Sequence, residues 1–277
     1  MDRYAVIGNP IAHSKSPRIH AAFAAQTGQQ LSYEALLAPL DGFRAAVAEF
    51  RHAGGRGMNV TVPFKLEAHA LAERLSPRAE AAGAVNTLAF DGDGIFGDNT
   101  DGAGLVRDLT HNLNCPLTER RVLLLGAGGA ARGAVLPLLG EKPVALTIAN
   151  RTRSRAEELI ARFGPRAGAT TLDACGFAEL AGRDFDVVIN ATAASLSDQA
   201  PELPSGLYAP DALAYDMMYG RGDTPFMSAA RRDGAARTAD GLGMLIEQAA
   251  ESFRLWRGVR PETGPVLEAL RTEIMAA

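Results

Sequence analysis

Apolar runs of strand length alternate with runs of helical spacing along most of the chain. In the first half we predict strands and helices in turn, at residues 3–8, 17–28, 32–38, 43–55, 57–62, 64–75 and 84–90. The alternation restarts further on, at residues 121–126, 130–139, 144–150, 154–163, 185–191 and 212–218, before two closing helices at 243–256 and 265–275. This pattern is typical of α/β units built on largely parallel sheets.

Between the two series the chain becomes polar and rich in glycine. We predict a loop and a domain edge at residues 92–101, followed by a helix at about 102–112 that leads into the second series. A length of 277 residues is more than one average domain and fits two. The sequence therefore predicts an α/β protein of two domains.

Composition and charge exclude several classes of function. The chain has 47% hydrophobic and 22% charged residues and a net charge of −4, which is ordinary for a globular protein and gives no general attraction to nucleic acid or anionic membranes. It has no apolar run of membrane-spanning length, and its first residues lack the features of a signal peptide. Two distant cysteines and five scattered histidines match no metal or redox motif, so we expect no metal and a cytoplasmic location.

A glycine-rich turn follows the first strand of the second series. Gly126, Ala127, Gly128, Gly129 and Ala130 lie between an apolar strand and a predicted helix, and Ala131 completes a G-x-G-x-x-A pattern. The first glycine permits a tight turn, the second lets the backbone approach a pyrophosphate, and the small third residue allows close packing of helix on sheet. Glycine clusters alone often mark turns only, but strand, glycines, helix and second strand in this order indicate a Rossmann-type dinucleotide site.

The next strand ends in basic residues where NAD-binding enzymes place an acid. Asn150, Arg151, Thr152 and Arg155 lie in this segment, together with Arg153. Guanidinium groups bind a 2′-phosphate, whereas a carboxylate would repel it. A solvated basic helix start is the alternative, but cations oppose the dipole at a helix N-terminus. The sequence therefore favours NADP over NAD.

Polar residues of the first half lie at strand ends or helix starts. Four of them have a simple structural explanation: Ser16 could cap the helix that Pro17 begins, Thr61 could be a strand residue, Lys65 a surface charge and Asp101 a helix cap. Ser14 has no capping role in this interpretation, and Asn86 ends an apolar run. Because open α/β sheets bind ligands beyond the carboxyl ends of their strands, the whole set suits a small polyhydroxylated acid.

Nine stretches, in order and across nearly the whole chain, resemble the shikimate dehydrogenase family. They are GNPIAHSKSPRIH (8–20), NVTVPFK (59–65), GAVNTL (83–88), GDNTDGAG (97–104), GAGGAARG (126–133), NRTRSRAEEL (150–159), INAT (189–192), YDMMYGRGDTPF (215–226) and DGLGMLIEQAA (240–250). Several of them, especially the first four, are specific to the family.

The resemblance implies reversible, NADPH-dependent reduction of 3-dehydroshikimate to shikimate, a step in the biosynthesis of chorismate and the aromatic amino acids. It implies that the substrate pocket is lined by Ser14, Ser16, Thr61, Lys65, Asn86, Asp101, Tyr219 and Gln248. Lys65 would transfer the proton beside Asp101. The cofactor would meet Gly126 to Ala130, Asn150, Arg151, Thr152, Arg155, Thr192, Met217 and Gly241.

The resemblance also implies a discontinuous first domain. Residues 1–101 and 242–277 would bind the substrate, and residues 102–241 would bind NADP. One departure follows INAT, where the family often has Ser-Ser-Gly and this chain has Ala193, Ala194 and Ser195. The sequence does not specify an oligomeric state, so a homodimer is kept open alongside a monomer.

Three other functions share some of these features. A quinate/shikimate dehydrogenase with relaxed cofactor choice shares most motifs but usually has an acid in place of Arg151. An enzyme of the methylenetetrahydrofolate dehydrogenase type would lack the SKSP and NTDG stretches. A non-catalytic NADP-binding sensor would not need the pair formed by Lys65 and Asp101.

Overall fold

The computed structural model describes residues 1–192 and 199–276, and these divide into two compact units. The first unit comprises Met1–Gly104 and Ile246–Ala269, and the second comprises Leu105–Leu245 and Leu270–Ala277. None of the helices in the described ranges combines the length and the apolar character that a membrane span requires.

The first unit is built on a mixed six-stranded sheet. Its strands and helices are β1 (Asp2–Gly8), α1 (Ser16–Thr27), β2 (Leu31–Leu37), α2 (Phe43–His52), β3 (Gly55–Val60), α3 (Lys65–Leu71), β4 (Arg74–Leu75), α4 (Pro77–Ala82), β5 (Thr87–Asp91) and β6 (Gly94–Asp98). The strand order is β2-β1-β3-β5-β6-β4. Only β5 runs antiparallel to its neighbours, so the sheet is mostly parallel, as predicted.

Two apolar layers cover this sheet. One contains Phe43 and Phe64, which are fully buried and stack with ring centroids 5.0 Å apart. The other is an aromatic cluster formed by His20, Phe23, Tyr33, Phe253 and Trp256. The last two of these residues come from the far end of the chain, so the first unit is discontinuous in sequence.

The second unit has the strand order of a dinucleotide-binding fold. After α5 (Asp101–Arg107) and a π-helical turn (Asp108–Asn112) come β7 (Arg121–Leu125), α6 (Gly129–Gly140), β8 (Ala145–Ala149), α7 (Arg153–Phe163), β9 (Thr171–Cys175), β10 (Phe185–Asn190), β11 (Tyr208–Asp216), α8 (Pro225–Arg232) and β12 (Arg237–Asp240). Short 3₁₀ turns occupy Gly164–Arg166 and Phe177–Leu180. All strand pairs are parallel and the order is β12-β11-β10-β7-β8-β9, which is the 3-2-1-4-5-6 order of Rossmann sheets read in reverse.

The chain closes with α9 (Leu242–Arg257) and α10 (Gly264–Ala276), and the unit boundaries fall inside α5, α9 and α10. The sequence prediction assigned all of residues 242–277 to the first domain. The structure differs here, because from Leu270 onwards the chain packs with the second unit. Leu270 is buried there, and Arg271 donates two hydrogen bonds, of 2.6 and 2.5 Å, to the carboxylate of Asp240.

The glycine-rich stretch at 92–101 was predicted as a loop, and this was wrong for its central part. Gly94–Asp98 forms β6, which pairs along its whole length with β5. The predicted helix at 64–75 was too long, since α3 ends at Leu71 and Arg74–Leu75 pairs with β6.

Candidate active site

One edge of the first sheet gathers the polar residues that the sequence indicated. Ser14 and Ser16 follow β1, and Thr61 follows β3, which is the parallel neighbour of β1. Asn86 immediately precedes β5, which runs antiparallel to β3, so it lies at the same edge. Asp101 follows β6, and β6 points in the same direction as β3.

Lys65 and Asp101 form an ion pair at this edge. Nζ of Lys65 donates to Oδ2 of Asp101 over 2.5 Å, and the two side chains are 31% and 17% exposed. Lys65 begins α3 and Asp101 begins α5, so both are attached to regular elements rather than to long loops. Asn86 donates from Nδ2 to the other carboxylate oxygen over 2.7 Å. The carboxylate is thus held on both oxygens, and it positions an ammonium group that remains partly accessible.

Asn86 is itself fixed by a buried hydrogen-bond network. Its Oδ1 accepts from the backbone N–H of Thr100 over 2.8 Å, and its Nδ2 donates to the Thr100 hydroxyl over 2.9 Å. Gln248 on α9 accepts from Asn86 over 3.2 Å through Oε1. Asn86, Thr100 and Gln248 are at most 9% exposed. A buried amide with its partners in place has one orientation, so the network aims Asn86 at Asp101.

Ser14, and not Ser16, supports the start of α1. Ser16 was considered as the cap of α1, but the helix begins at Ser16 and its N-cap residue, Lys15, makes no side-chain capping bond. Instead, Oγ of Ser14 accepts from the backbone N–H of Ser16 over 3.3 Å. Ser14 therefore supports the helix start, in the manner of a serine turn.

Thr61 directly follows β3, beside the end of its parallel neighbour β1. Its backbone N–H donates to the carbonyl of Ile7 over 3.0 Å. A β-carbon on Gly8 would lie 2.4 Å from the Thr61 methyl group, so only glycine fits beside this threonine. The side chain of Thr61 is half-buried, in keeping with a position at the rim of a site.

The glycine loop of the second unit has the backbone that the motif predicted. Gly126 has φ of +103°, and a β-carbon there would lie 3.1 Å from the carbonyl oxygen of Ala191. A β-carbon on Gly128 or Gly129 would meet no atom of residues 1–192 or 199–276 within 4 Å, so these residues leave the space beside them open. Ala131 is fully buried, as the close packing of helix on sheet requires. The start of α6 has no side-chain cap, which leaves its backbone N–H groups for an anion.

The arginines after β8 are not equivalent. Arg153 pairs with Glu157 over 2.8 Å and with Glu179 over 2.7 Å. Arg151 and Arg155 are exposed, and no carboxylate within the described ranges lies at ion-pair distance from either. Asn150 donates to the carbonyl of Thr152 over 2.8 Å and so shapes the turn that carries Arg151. Two of the three guanidinium groups are therefore left for a ligand phosphate.

The remaining predicted cofactor residues lie at the carboxyl ends of β10, β11 and β12. Thr192 follows β10, Met217 follows β11 and Gly241 follows β12. A β-carbon on Gly241 would lie 2.1 Å from the carbonyl oxygen of Met217, so these two backbones touch. Tyr219 also follows β11 and belongs to the second unit, whereas the other predicted substrate residues belong to the first. Burial, and secondarily Asp240, raise the pKa of its hydroxyl, which stays protonated at neutral pH.

Comparisons with known proteins show the family to which the chain belongs. The family model described as the shikimate dehydrogenase substrate binding domain matches residues 6–88, that of shikimate/quinate 5-dehydrogenase matches 108–197, and that of the shikimate 5′-dehydrogenase C-terminal domain matches 241–271. A relative from Aromatoleum aromaticum, named shikimate dehydrogenase (NADP(+)), is 72% identical over 99% of this chain and 98% of its own length. The chain belongs to the shikimate dehydrogenase family.

Two solved structures are similar to this chain over nearly its whole length. An Ael1 enzyme from Pseudomonas putida has a TM-score of 0.92 and 51% identity, with 98% of both chains covered. Shikimate 5-dehydrogenase from Thermus thermophilus, in complex with NADP(H) and shikimate, has a TM-score of 0.86 and 36% identity, covering 98% of this chain and 99% of that one.

Several residues around the candidate site were not indicated by the sequence. Asn59 and Ser252 are buried beside Asn86, and Nδ2 of Asn59 donates to Oγ of Ser252 over 2.9 Å. Ser252 lies four residues after Gln248 on α9, a spacing that places both on one helix face and could have indicated it. The segment Ala193, Ala194 and Ser195, where the chain departs from the family pattern, lies outside the described residues.

Proposed function

We propose that the protein catalyses the reversible, NADPH-dependent reduction of 3-dehydroshikimate to shikimate, in the pathway that leads to chorismate. The observation that carries this proposal is the ion pair of Lys65 and Asp101, held 2.5 Å apart at a sheet edge that also carries hydroxyl and amide side chains. The relative at 72% identity bears the name of this activity.

The side chains at this edge suit a hydroxylated acid. We infer that the hydroxyls of Ser14, Ser16 and Thr61 bind the substrate carboxylate, since hydroxyl groups donate to carboxylates without requiring a full counter-charge. Asn86 and Gln248 would bind the ring hydroxyls, because an amide can both donate and accept.

The proton required by the reaction would come from Lys65. Reduction of a ketone places negative charge on its oxygen, and a lysine ammonium can stabilise that charge and then donate a proton to the oxygen. In the reverse direction the neutral amine would accept the proton from the substrate hydroxyl. Asp101 would hold Lys65 in place, and Asn86 would hold Asp101.

The second unit fits NADP. NADPH, when bound, supplies the hydride. The open space beside Gly128 and Gly129 and the uncapped start of α6 suit the pyrophosphate, and the exposed Arg151 and Arg155 suit the 2′-phosphate. We therefore assign substrate binding to the first unit and NADP binding to the second, and we expect the enzyme to work in the cytoplasm.

The test is a change in NADP(H) absorbance with shikimate and with quinate, measured side by side. Oxidation of shikimate with NADP, and not with NAD, is the expected result. Equal rates with quinate, or with NAD, would favour the broader quinate/shikimate activity. No turnover with either acid, despite NADP binding, would make the protein a binding module rather than an enzyme. Sedimentation of the same sample would test the homodimer.

A further inference from the structure

A fully buried carboxylate lies behind the candidate cofactor site of the second unit. Asp216, the last residue of β11, is 0% exposed. It accepts hydrogen bonds from the Thr224 hydroxyl over 2.6 Å, the backbone N–H of Met218 over 3.1 Å and Nδ2 of Asn190 over 3.1 Å. Thr224 in turn accepts from the backbone N–H of Met227, which caps α8. Asp216 thus joins the ends of two strands to the start of a helix.

The carboxylate determines the orientation of the neighbouring amide. A carboxylate only accepts hydrogen bonds, so Asn190 must turn its NH₂ group towards Asp216 and its oxygen away. That oxygen accepts from the backbone N–H of Thr192 over 3.1 Å and from the Thr192 hydroxyl over 2.7 Å. Asn190 is also 0% exposed, so no solvent molecule competes for these bonds.

The same logic extends to Thr192. A threonine hydroxyl has one proton, and here that proton is given to Asn190. Towards any further group the Thr192 oxygen is therefore an acceptor only. Its methyl group lies 3.3 Å from where a β-carbon of Gly126 would be, so Thr192 stands beside the glycine loop. It lies at the junction of β7 and β10, where strand order reverses and Rossmann folds bind their ligand.

We propose that Asp216 and Asn190 are positioning residues that present the Thr192 oxygen to NADP(H) as a hydrogen-bond acceptor. This inference rests on the proposed function, since it concerns the same cofactor. The matching group on the ligand must be a donor. NADP(H) has three kinds of donor: the ribose hydroxyls, the adenine amino group and the N–H of the nicotinamide carboxamide.

Substitutions of Thr192 test the acceptor role. Thr192→Val keeps the shape and removes the acceptor, and we expect its Kd for NADP, measured by titration calorimetry, to rise about tenfold. Thr192→Ser keeps the hydroxyl and should stay within about twofold of the wild type. An unchanged Kd in Thr192→Val would overturn the proposal while leaving the proposed function intact. A wild-type protein that does not bind NADP at all would instead overturn the proposed function.

The 3-acetylpyridine analogue of NADP, which has no carboxamide N–H, separates the carboxamide from the other donors. If Thr192 accepts from the carboxamide, wild type and Thr192→Val should bind the analogue equally. If it accepts from a ribose hydroxyl or from the adenine amino group, the variant should again bind about tenfold more weakly. If wild type and Thr192→Val bind NADP equally strongly, and also bind the analogue equally strongly, both versions of the proposal are contradicted.

Asp216→Asn tests the role of the buried acid, because an amide no longer dictates which way Asn190 faces. We expect Asp216→Asn to bind NADP more weakly than the wild type. The double variant Asp216→Asn/Thr192→Val should bind NADP no more weakly than the poorer of the two single variants, since both residues act through the same series of hydrogen bonds. Fully additive losses of binding free energy would overturn the proposed connection.

Should Asp216→Asn fail to fold, Asn190→Ser breaks the same connection and leaves Asp216 its bonds to Met218 and Thr224. Unchanged binding in that folded variant would equally refute it. The KM for shikimate should be unaffected in these variants, whereas a general loss of structure would change it.

Discussion

Lys65 donates a hydrogen bond of 2.5 Å to Asp101, which lies 36 residues further along the chain and is held from its other side by Asn86. If the lysine is the proton donor, Lys65→Ala should lower kcat at least about a hundredfold and change the KM for shikimate much less. Steady-state kinetics on the folded variant measure both. A near-normal kcat would leave Lys65 only a binding role.

Asp101 should act through the lysine rather than independently. We expect Asp101→Asn, which keeps the shape but removes the charge, to be strongly impaired as well. In the Lys65→Ala/Asp101→Asn double variant, kcat should fall far less than the product of the two single effects, because the pair works as a unit. Multiplicative losses in kcat would mean that the two residues serve separate steps.

Cofactor choice should depend on which arginine is removed. Arg151→Ala should raise the KM for NADP about tenfold or more, since it removes a charge-assisted bond to the 2′-phosphate. Arg153→Ala is the matched control, because Arg153 is already paired with Glu157 and Glu179. Its KM for NADP should stay within about twofold of the wild type. The reverse result in these two variants would assign the phosphate to Arg153.

The contact between Gly241 and Met217 should make the first of these residues intolerant of any side chain. In Gly241→Ala the new methyl group would lie 2.1 Å from the Met217 carbonyl oxygen, so the backbone must move. We expect the KM for NADP to rise by about tenfold, while Gly220→Ala, where a β-carbon meets nothing within 4 Å, serves as the comparison. Equal KM values in wild type and Gly241→Ala would place Met217 away from the cofactor.

His20 should make the stability of the protein sensitive to acid. The ring is fully buried, is stacked 4.2 Å from Tyr33, and neither nitrogen has a well-formed hydrogen bond to any described residue, although Asn59 approaches it. Burial lowers the pKa of His20 to about 3, and the nearby Asn59 amide acts in the opposite direction. The unfolded chain takes up a proton below about pH 6.5 and the folded chain does not.

Between pH 6.5 and 5, His20 alone should therefore reduce the free energy of unfolding by roughly 2 kcal/mol. Urea unfolding at the two pH values measures the change, and His20→Phe should lose this part of the pH dependence while keeping an aromatic ring in the cluster. Identical pH dependence in wild type and variant would show that His20 titrates in the folded state near its ordinary pKa.

The central strands of the second sheet could be read from the sequence because they are buried on both faces. β7, β8 and β10 are mostly apolar runs, and the glycine turn after β7 has a distinctive pattern. β9 and β12 lie at the two edges of that sheet, are short and contain polar residues, so no periodicity indicates them. Their formation depends on the neighbour that each pairs with.

The same reasoning explains the errors in the first unit. β6 contains two glycines and an aspartate, which locally favour a turn, yet ten backbone positions pair across β5 and β6. Local propensity was overridden by that pairing. At the candidate site, motifs located Lys65 and Asp101, but the buried Asn59 and Ser252 come from distant segments, and only the folded chain brings them together.

The discontinuity of the first unit has a consequence for the growing chain on the ribosome. Trp256 donates to the carbonyl of Leu88, Arg257 bonds to Asp2, and Ser252 completes the polar network around Asn59. The strands through β6 are made early, but the aromatic cluster that covers one face lacks Phe253 and Trp256 until the last helices emerge. At roughly 5–20 residues per second, the nascent sheet spends on the order of ten seconds or more with that apolar face uncovered. The strands of the second unit all lie in the intervening sequence, so its whole sheet is made before the first unit can close its core, and only the segment from Leu270 onwards is added to the second unit afterwards.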